Sequence, residues 1–574
     1  MNKIYKLLIL FTLVGGLTNC DIERNPYHAV PEEEVLNSEE GLQASTIGNL
    51  AYLKRYSFVK PQHFIGEFAS DNVALSGTTT DRLFNLYSFN RVTDNWHVDQ
   101  IWESSYLIII NCNRNIIGNE TGESPEKDIL LGYNHYLRGF LYFNLANTFG
   151  RPYAQDPSHL AVPIKLTADL DDYPARSTVK EVYEQAIEDL KFAAQLITKP
   201  KEGGENIYPS KEGAWAMLSR MYLYMEEWEL AKNYADSVEH HGTNSFELLR
   251  GEDYKKYSQK LPEENSETIF AIKHVEDIDF PYETGWGTWS NWNTVGSMYA
   301  TVNGAGWGEM YASKSLRDVL DENPSDLRHA FIDPQYSSGE WALWVDEDRT
   351  TGAGENYPMF DTQNVEKEGD MYAYYVDTNL DGTDERFEVE EIDEKYFLDD
   401  WDRVGEEMVN RGSREVEISD RMHMRNGFPK YYVLKCSLQE GQDHMWSPVI
   451  SRLAEMYLNR AEAYYHLGDE DKALAEINVL RERAQIPQWD IADLPAGKTV
   501  LDLILQERRV ELAFESHRKF DVFRTKRNMD RQYPGTHYWA GDPKGVISWE
   551  SNDVVLKIPE QSIDKYPGDL VQNQ

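Results

Sequence analysis

Residues 457–484 read YLNRAEAYYHLGDEDKALAEINVLRERA, and their spacing of small and aromatic residues predicts a helical hairpin. Ala461, Tyr464, Gly468 and Ala473 fit the small-x2-Tyr-x3-Gly-x4-Ala pattern of a tetratricopeptide repeat. Small residues at these positions let two helices approach closely. Because repeats of this kind bury a continuous core only by stacking on one another, further hairpins are expected elsewhere in the chain.

Three other segments show a related pattern. Residues 214–238 repeat it, with Glu226 in place of the turn glycine. A third hairpin is predicted from residues 130–150 paired with residues 177–196 across a loop, and a fourth from residues 499–524. The sequence therefore predicts a mainly α fold built on a tetratricopeptide-like scaffold.

The pattern changes between residues 243 and 446. This part carries two clusters of tryptophans, Gly-rich turns and short strand-like pieces, which predict a large irregular α+β insertion made mostly of loops and small β elements. Long structured loops usually carry function. We divide the chain into an N-terminal scaffold part (36–242), this variable ligand-binding insertion (243–446) and a C-terminal tetratricopeptide-like part with the tail (447–574).

The N-terminus has the pattern of a lipoprotein leader. Residues 1–19 combine two early lysines with an apolar run that is too short to span a bilayer, which is typical of a signal peptide. Leu17-Thr18-Asn19-Cys20 resembles a bacterial lipobox, although Asn19 is less usual there than a smaller residue. We expect a lipid anchor on Cys20 followed by a flexible tether over 20–35, and the alternative is an incidental cysteine beside an ordinary cleavage site.

The charge balance excludes some partners. The formal net charge of −41 repels phosphate backbones and anionic lipid surfaces, so nucleic-acid binding is not expected and the lipid anchor is the one predicted membrane attachment. Cys112 and Cys436 belong to no CxxC pair, and we expect buried free thiols, with a single disulfide as the alternative.

Motifs along the whole chain match one known family. They are Gly66-Glu67-x2-Ser70-Asp71, Trp102-x3-Tyr106-x2-Ile109-x3-Asn113, Arg138-x-Phe140-x-Tyr142-Phe143, the block 447–465, Glu507-Arg508-Arg509-x-Glu511-Leu512, Glu515-x2-Arg518, Asp521-x2-Arg524 and Ile558-Pro559. The chain resembles the SusD/RagB family of nutrient-binding outer-membrane lipoproteins. Ser516, where the family prefers Gly, and Tyr566-Pro567, in place of Asn-Pro, depart from the pattern in scaffold segments.

The resemblance implies a function as well as a fold. It implies a cell-surface lipoprotein whose variable lobe binds an oligosaccharide, and a SusC-like TonB-dependent outer-membrane transporter over which the lipoprotein sits as a hinged lid. It implies no catalysis. A peptide-binding branch of the family is the main alternative, and a glycoside hydrolase is a weaker one because 98 acidic residues always allow a carboxylate pair.

A tryptophan-rich loop is the first candidate ligand surface. GWGTWSNWN, residues 285–293, spaces three indoles among poor helix formers, which predicts an exposed aromatic loop. Indoles suit the apolar C–H faces of sugars. We predict ligand contacts from the residues Trp286, Trp289, Trp292 and Trp307, and the alternative is that some of them pack the insertion's own core.

A second candidate surface lies between residues 71 and 102. In the family this stretch contributes ligand contacts, so Asp71, Arg82 and Trp96 are added to the predicted set. Asp71 has the alternative role of a helix cap. Trp102 and Tyr106, four residues apart, are expected to pack within a helix instead.

DTNLDGTDERFE, residues 377–388, has the spacing of a calcium loop. The predicted ligands are Asp377, Asn379, Asp381, Thr383 through its carbonyl, and Glu388. The flanking sequences suggest strands rather than helices, so we predict a structural Ca²⁺ site in a strand-loop setting. The alternative is a solvated acidic hairpin turn.

Catalytic motifs are missing from the sequence. It contains no GxSxG, HExxH or Walker loop, and His240-His241 before Gly242 suits a helix C-terminus better than a metal site. We therefore expect a binding protein rather than an enzyme, without a catalytic cofactor.

Overall fold

The computed structural model describes most of the chain after residue 37. The described ranges are 38–76, 82–199, 206–242, 245–275, 294–299, 306–334, 336–350, 358–425, 428–539 and 545–573. The signal peptide, the tether and Cys20 lie outside them, as do Trp286, Trp289 and Trp292, so the predictions for these residues stay predictions. Within the described ranges, no helix has both the length and the apolar composition needed to cross a bilayer.

Helices form the scaffold on both sides of the insertion. Those before it are α1 (Glu39–Leu53), α2 (Tyr56–His63), which continues as a π-helix (Phe64–Phe68), α3 (Leu83–Tyr87), α4 (Trp96–Ile117), α5 (Pro125–Phe149), α6 (Val179–Leu196), α7 (Lys211–Tyr224) and α8 (Trp228–His240). Short helices follow at α9 (Gly251–Lys255), α10 (Gly296–Tyr299) and α11 (Lys314–Asp321). The C-terminal helices are α12 (Leu453–His466), α13 (Glu470–Arg483), α14 (Val500–Glu511), α15 (Arg518–Arg524) and α16 (Glu560–Asp564).

Short 3₁₀ turns link these elements. They are Tyr257–Gln259, Pro262–Glu264, Leu327–Phe331, Gln439–Gly441, Ile491–Asp493, Thr536–Trp539 and Asn552–Val554.

The strands lie mostly in the insertion. They are β1 (Val73–Leu75), β2 (Leu160–Pro163), β3 (Arg176–Thr178), β4 (Thr268–Ala271), β5 (Met310–Ala312), β6 (Ile332–Pro334), β7 (Tyr336–Thr350), β8 (Pro358–Glu368), β9 (Met371–Val376), β10 (Glu385–Ile392), β11 (Lys395–Val404), β12 (Glu407–Met422), β13 (Met424–Arg425), β14 (Phe428–Pro429), β15 (Tyr431–Val433), β16 (Val449–Arg452), β17 (Met529–Asp530) and β18 (Val546–Ile547).

The four predicted hairpins are confirmed as α5/α6, α7/α8, α12/α13 and α14/α15. Neighbouring helices pack in the order α5, α6, α7, α8, α12, and α12 then contacts both α13 and α14. The turn glycine Gly468 has φ +85°, and Glu226 at the equivalent turn has φ +62°. The stack is therefore continuous across the insertion, and the second hairpin keeps the left-handed turn without a glycine.

The core is centred on α5. Residues on all sides of this helix are buried, including Tyr136, Phe140 and Leu141, because α4, α6 and α1 pack around it. Trp102 and Tyr106 stack within α4 with ring centroids 5.0 Å apart, as predicted. Cys112 and Cys436 are both buried and free, so the disulfide alternative is excluded.

Buried ion pairs join the insertion to the scaffold. Arg452, just before α12, lies with Nη1 2.6 Å from Glu267 and 2.6 Å from Glu511, and with Nε 2.7 Å from Glu515. Burial alone would raise the pKa of Glu511, but Arg483 and Arg452 hold it well below its usual range. These ion pairs therefore hold together the C-terminal end of α14, the residue before α12 and the residue before β4.

Residues 336–422 are more regular than the sequence suggested. Strands β7 to β12 form an antiparallel sheet that closes on itself in the order β10-β11-β12-β7-β8-β9, and we call this the closed sheet. Its interior is filled by the side chains of Ala342, Trp344, Val365, Tyr374, Val389, Leu398 and Val416. The insertion is α+β as predicted, but this part is a folded unit with its own core rather than a set of loops.

Candidate functional site

The N-terminus of α4 presents Trp96 to solvent. Asn95 caps the helix by accepting the His97 backbone N–H at 3.1 Å, which fixes Trp96 as the first helical residue. The indole is 38% exposed and stacks on the buried His97 ring, with centroids 3.7 Å apart. One face of the indole is therefore supported while part of the ring remains accessible.

Arg82 lies beside this helix end. Its carbonyl accepts a hydrogen bond from Asn95 Nδ2 at 3.2 Å, and its Nη2 donates to Asp94 Oδ2 at 2.7 Å. Both charged side chains are exposed. The structure thus brings Arg82 and Trp96 together, two of the residues predicted to contact ligand.

A file of buried rings runs inward from Trp96. His97 contacts Phe64 at 5.1 Å, Phe64 stacks on Phe68 at 4.5 Å, and Phe68 meets Tyr299 edge-on at 5.0 Å. All four rings of this file are buried. Close-packed rings of this kind have little freedom to move, so the file forms a rigid floor.

Trp307 is attached at the other end of the file. The backbone N–H groups of Trp307 and Gly308 donate to the Ser297 carbonyl, two residues before Tyr299, at 2.7 and 3.1 Å. The Trp307 side chain is 45% exposed. The Trp96 indole therefore lies against one end of this file, the Trp307 backbone is held at the other, and both tryptophans are exposed.

The ribbon β1/β5 connects Trp307 with the segment that leads to Arg82. Ser76 donates its backbone N–H to the Glu309 carbonyl at 2.8 Å and its hydroxyl to Glu309 Oε2 at 2.7 Å. Residues 77–81, which follow Ser76 and precede Arg82, lie outside the described ranges. Arg82 and Trp307 thus border the same segment of chain.

An apolar groove of about 340 Å³ continues along this ribbon. Tyr311 opposes Ala74 in β1/β5, and both line the groove together with Phe428, Pro429 and Thr536. Because side chains two residues apart point to the same face of a strand, the Ser76–Glu309 pair lies on the face that carries Ala74 and Tyr311. We call Arg82, Trp96, Trp307, the Ser76–Glu309 pair and this groove the candidate surface.

Asp71 is placed elsewhere. Its side chain is buried, and both carboxylate oxygens accept from Arg518, at 2.7 and 2.9 Å, with Arg509 Nη2 3.3 Å away. Burial alone would raise the pKa of Asp71, but Arg509 and Arg518 hold it well below its usual range. The carboxylate is therefore occupied by scaffold residues and is not part of the candidate surface, and it caps no helix.

The predicted calcium loop connects β9 to β10. The Asp377 oxygens accept the backbone N–H groups of Asp381 and Gly382, at 3.1 and 2.7 Å, so the loop satisfies its own donors. Glu388 lies inside β10 opposite Ala373, where Arg386 donates to it at 3.0 Å. The strand-loop setting is confirmed, but Glu388 does not join the other predicted ligands, and no cluster of three acidic, His or Cys side chains suited to a metal occurs among the described residues.

The groove and the Ser76–Glu309 pair were not found from the sequence. Tyr311 lies in a three-residue strand, and its partners come from three other parts of the chain. Such a strand gives almost no periodic signal. Trp96 was predicted because it lies in the stretch that contributes ligand contacts in the family, and Trp307 because it belongs to a tryptophan cluster of the insertion.

Two family models match the chain. The model described as the SusD family covers residues 266–574, and the model described as starch-binding, associating with outer membrane, covers residues 22–223. The first match alone spans more than half of the chain.

Curated relatives match over nearly the full length. The SusD-like protein P2 of Formosa agariphila is 24% identical over 536 residues, covering 91% of this chain and 90% of the relative. The SusD-like protein P25 of the same organism is 22% identical and covers 91% of this chain and 90% of its own length.

Solved structures show the same fold. A SusD superfamily protein from Bacteroides thetaiotaomicron matches with a TM-score of 0.68 at 22% identity, covering 94% of this chain and 100% of that one. A structure described as a laminarin-binding SusD-like protein matches with a TM-score of 0.60 at 18% identity, covering 94% of this chain and 99% of that one. The stacked helical hairpins, the motifs that join them and these matches lead to one conclusion: the chain belongs to the SusD family.

Proposed function

We propose that this protein captures oligosaccharides at the cell surface and delivers them to a SusC-like TonB-dependent transporter in the outer membrane. The observation that carries the proposal is the pair of exposed tryptophans, Trp96 and Trp307, held at the two ends of one buried aromatic file, together with the open apolar groove along β1/β5. The family assignment supports it, as do the model described as starch-binding and associating with outer membrane and the similar structure described as laminarin-binding.

The chemistry of the candidate surface suits a neutral sugar chain. An indole supported on one face offers the other to the C–H groups of a sugar ring, and it loses little entropy on binding because it is already held. Arg82 and the Glu309 carboxylate supply donors and acceptors at the edge of the surface for hydroxyl groups. Open, edge-polar surfaces of this type hold a ligand without reacting with it, so the proposed role is capture rather than catalysis.

Attachment through Cys20 completes the proposed arrangement. A diacylated cysteine at the end of a tether holds a protein stably at a membrane and leaves it free to pivot. The lipobox-like sequence ending at Cys20 supports this step. Mass spectrometry of the protein isolated from its native membrane tests this attachment, and we expect a mature N-terminus at a lipid-modified Cys20. An unmodified mature N-terminus at another residue would overturn it.

Calorimetry on the soluble form that begins after Cys20 tests ligand capture. The panel contains neutral, acidic and amino-sugar oligosaccharides and mixed peptides, with a reducing-end assay on the same samples. We expect binding of a neutral oligosaccharide without new reducing ends. Binding of peptides alone would assign the protein to the family's peptide-binding branch, and new reducing ends would make it a hydrolase.

Two variants and one control locate the binding. Trp96→Ala and Trp307→Ala are each expected to weaken binding by about tenfold or more, because truncating an aromatic anchor costs about 2 kcal/mol. Tyr56→Ala, which removes an aromatic side chain that is 54% exposed, serves as the control and should leave affinity unchanged. Unchanged affinity in both tryptophan variants would remove the candidate surface from the proposal.

A further inference from the structure

A polar cleft of about 660 Å³ lies apart from the candidate surface. It is bounded by α11, by α14 and by the segment that follows α15. Its lining includes the charged residues Asp71, Arg509 and Arg518, and also Tyr533 and Gln532. Neither the scaffold packing nor the proposed capture of neutral sugar uses this volume.

Two guanidinium groups share one carboxylate at the floor of the cleft. Arg518 binds Asp71 through Nε and Nη2, at 2.7 and 2.9 Å. Arg509 binds Asn72 Oδ1 through Nε at 2.9 Å and the Asp71 carbonyl through Nη2 at 3.0 Å. Two positive charges therefore face a single negative one, which leaves an excess positive charge at the floor.

The third nitrogen of each guanidinium is available. Nη1 of Arg509 and Nη1 of Arg518 have no hydrogen-bond partner among the described residues, and neither nitrogen is completely buried. The two side chains are 10% and 18% exposed, and both line the cleft. Two fixed donors of like charge that reach one cavity form a geometry that suits an oxyanion.

The other charges of the cleft do not cancel this excess. Asp318, Asp502 and Asp521 are each paired, with Lys314 at 2.7 Å, Arg527 at 2.7 Å and Arg508 at 2.8 Å. Lys498, exposed on the rim, makes no ion pair within the described part of the chain, and Asp530 is the acidic counterpart on the rim. The lining as a whole has five acidic and four basic side chains, so the place for a negative group is local to the two guanidinium groups at the floor.

The cleft and the groove of the candidate surface are neighbouring cavities: Asp71, just before β1, lines the cleft, and Ala74, in the middle of β1, lines the groove. The helix α11 stands between them, with Ser315 and Asp318 on the cleft side and Lys314 and Arg317 on the groove side. A ligand in one cavity therefore need not touch the other.

We infer that this cleft is a second ligand site, which binds an oxyanion, a carboxylate or a sulfate group, carried on a polar body the size of a sugar. The oxyanion sits against Nη1 of Arg509 and Nη1 of Arg518. The volume accommodates more than the anion alone, and the exposed Gln532 side chain at the wall suits the hydroxyl groups of the body that carries it.

Calorimetry with three small probes tests the inference on the whole soluble chain. Sodium D-glucuronate carries a carboxylate, D-glucose 6-sulfate carries a sulfate ester, and D-glucose is the matched neutral sugar. We expect glucuronate, glucose 6-sulfate or both to bind at this cleft and glucose not to bind there. The anion with the higher affinity identifies the preferred oxyanion. Equal behaviour of all three probes would overturn the inference.

Substitutions assign the binding to the cleft. Arg518→Gln is expected to weaken anion binding by about ten- to a hundredfold, because a hydrogen bond to a charged group contributes about 1.5–3 kcal/mol. Arg518→Lys keeps the positive charge but loses the planar guanidinium fork. Its affinity for the anion should therefore fall between those of wild type and Arg518→Gln. The control is Arg386→Gln, which makes the same change in net charge on the exposed face of the closed sheet and should have no effect.

Two further variants guard against misinterpretation. Arg518→Gln leaves Asp71 with fewer partners and so risks misfolding. Lys498→Gln changes an exposed residue on the rim and carries no such risk. It should weaken anion binding by about two- to fivefold. Trp96→Ala should leave glucuronate affinity unchanged, which separates this site from the proposed sugar-capture surface. A loss in Trp96→Ala, or an equal loss in Arg386→Gln, contradicts a distinct site at the cleft.

Discussion

His63 Nε2 lies 2.7 Å from the hydroxyl of Tyr299, the inner end of the aromatic file that starts at Trp96. The His63 ring also meets Phe68 and Trp446 edge-on, at 5.6 and 5.8 Å. Burial lowers the pKa of His63 from 6.5 to about 3. The ring is therefore neutral at physiological pH, and protonating it would place a charge among apolar rings.

We predict that this pair makes the protein acid-sensitive. Because the pKa of His63 is depressed in the folded state, its contribution to stability is complete above pH 6.5 and is lost as the pH falls from 6.5 towards 3. Between pH 6.5 and pH 5 this group alone should cost about 2 kcal/mol of unfolding free energy. Urea unfolding of wild type and His63→Gln across this interval measures the difference.

The glutamine variant keeps a hydrogen bond to Tyr299 but does not titrate, so it should lose less stability than wild type on acidification. His240→Gln, at the exposed end of α8, is the matched control and should follow wild type. Parallel curves for wild type and His63→Gln would show that this histidine does not set the acid response.

We expect that removing one charged side chain from the buried network around Arg452 strongly lowers the free energy of unfolding. In Arg452→Met, Glu267, Glu511 and Glu515 all lose a partner within hydrogen-bond distance. Removing one partner of a buried ion pair typically costs about 3–5 kcal/mol because the remaining charge is uncompensated. Chemical denaturation should show a loss of this size or failure to fold.

Arg386→Gln is the control for this comparison. It breaks pairs with Glu368 and Glu388 that are exposed to solvent, and exposed pairs contribute about 0–1 kcal/mol. A similar loss in both variants would mean that burial does not govern the cost.

The scaffold could be predicted from the sequence and much of the ligand surface could not. The hairpin at 457–484 carries a fixed spacing of small residues over two helices, a signal that tertiary context rarely overrides. The closed sheet was missed because strand β12, EMVNRGSREVEISDRM, has few apolar residues at alternate positions; among its described side chains, Val416 and Ile418 pack in the interior of the closed sheet. The groove around Tyr311 depends on contacts between distant segments, which no local pattern encodes.

Asp71 illustrates a different limit. Its position in a family motif suggested direct ligand contact, and its carboxylate lies at the floor of the polar cleft, where Arg509 and Arg518 already pair with it. A motif marks a constrained position without saying whether packing or binding constrains it. Only the geometry separates these two causes.

Calcium binding at 377–388 stays a prediction, and thermal unfolding tests it. If the loop takes Ca²⁺, adding the ion should raise the melting temperature relative to a chelator, and Asp377→Asn should remove the rise. The hydrogen bonds from the backbone of Asp381 and Gly382 to Asp377 support the alternative of a self-satisfied acidic turn. No calcium-dependent shift in wild type would select that alternative.

The turn at Glu226 offers a stabilising substitution. Its φ of +62° places a side-chain-bearing residue in the left-handed region, which costs about 1–2 kcal/mol relative to an unstrained residue, whereas glycine adopts this region freely. Among the described residues, the one ion pair of Glu226 is a long contact with Lys526 at 3.9 Å, and both side chains are nearly half exposed, so little is lost by removing it. We expect Glu226→Gly to raise the unfolding free energy by about 1 kcal/mol, measured by chemical denaturation.

Glu226→Ala is the matched control, because it removes the same carboxylate but keeps a Cβ in the strained conformation, and it should give no gain. A gain in both variants would assign the effect to the lost negative charge, and a gain in neither would mean that the turn is not strained at Glu226.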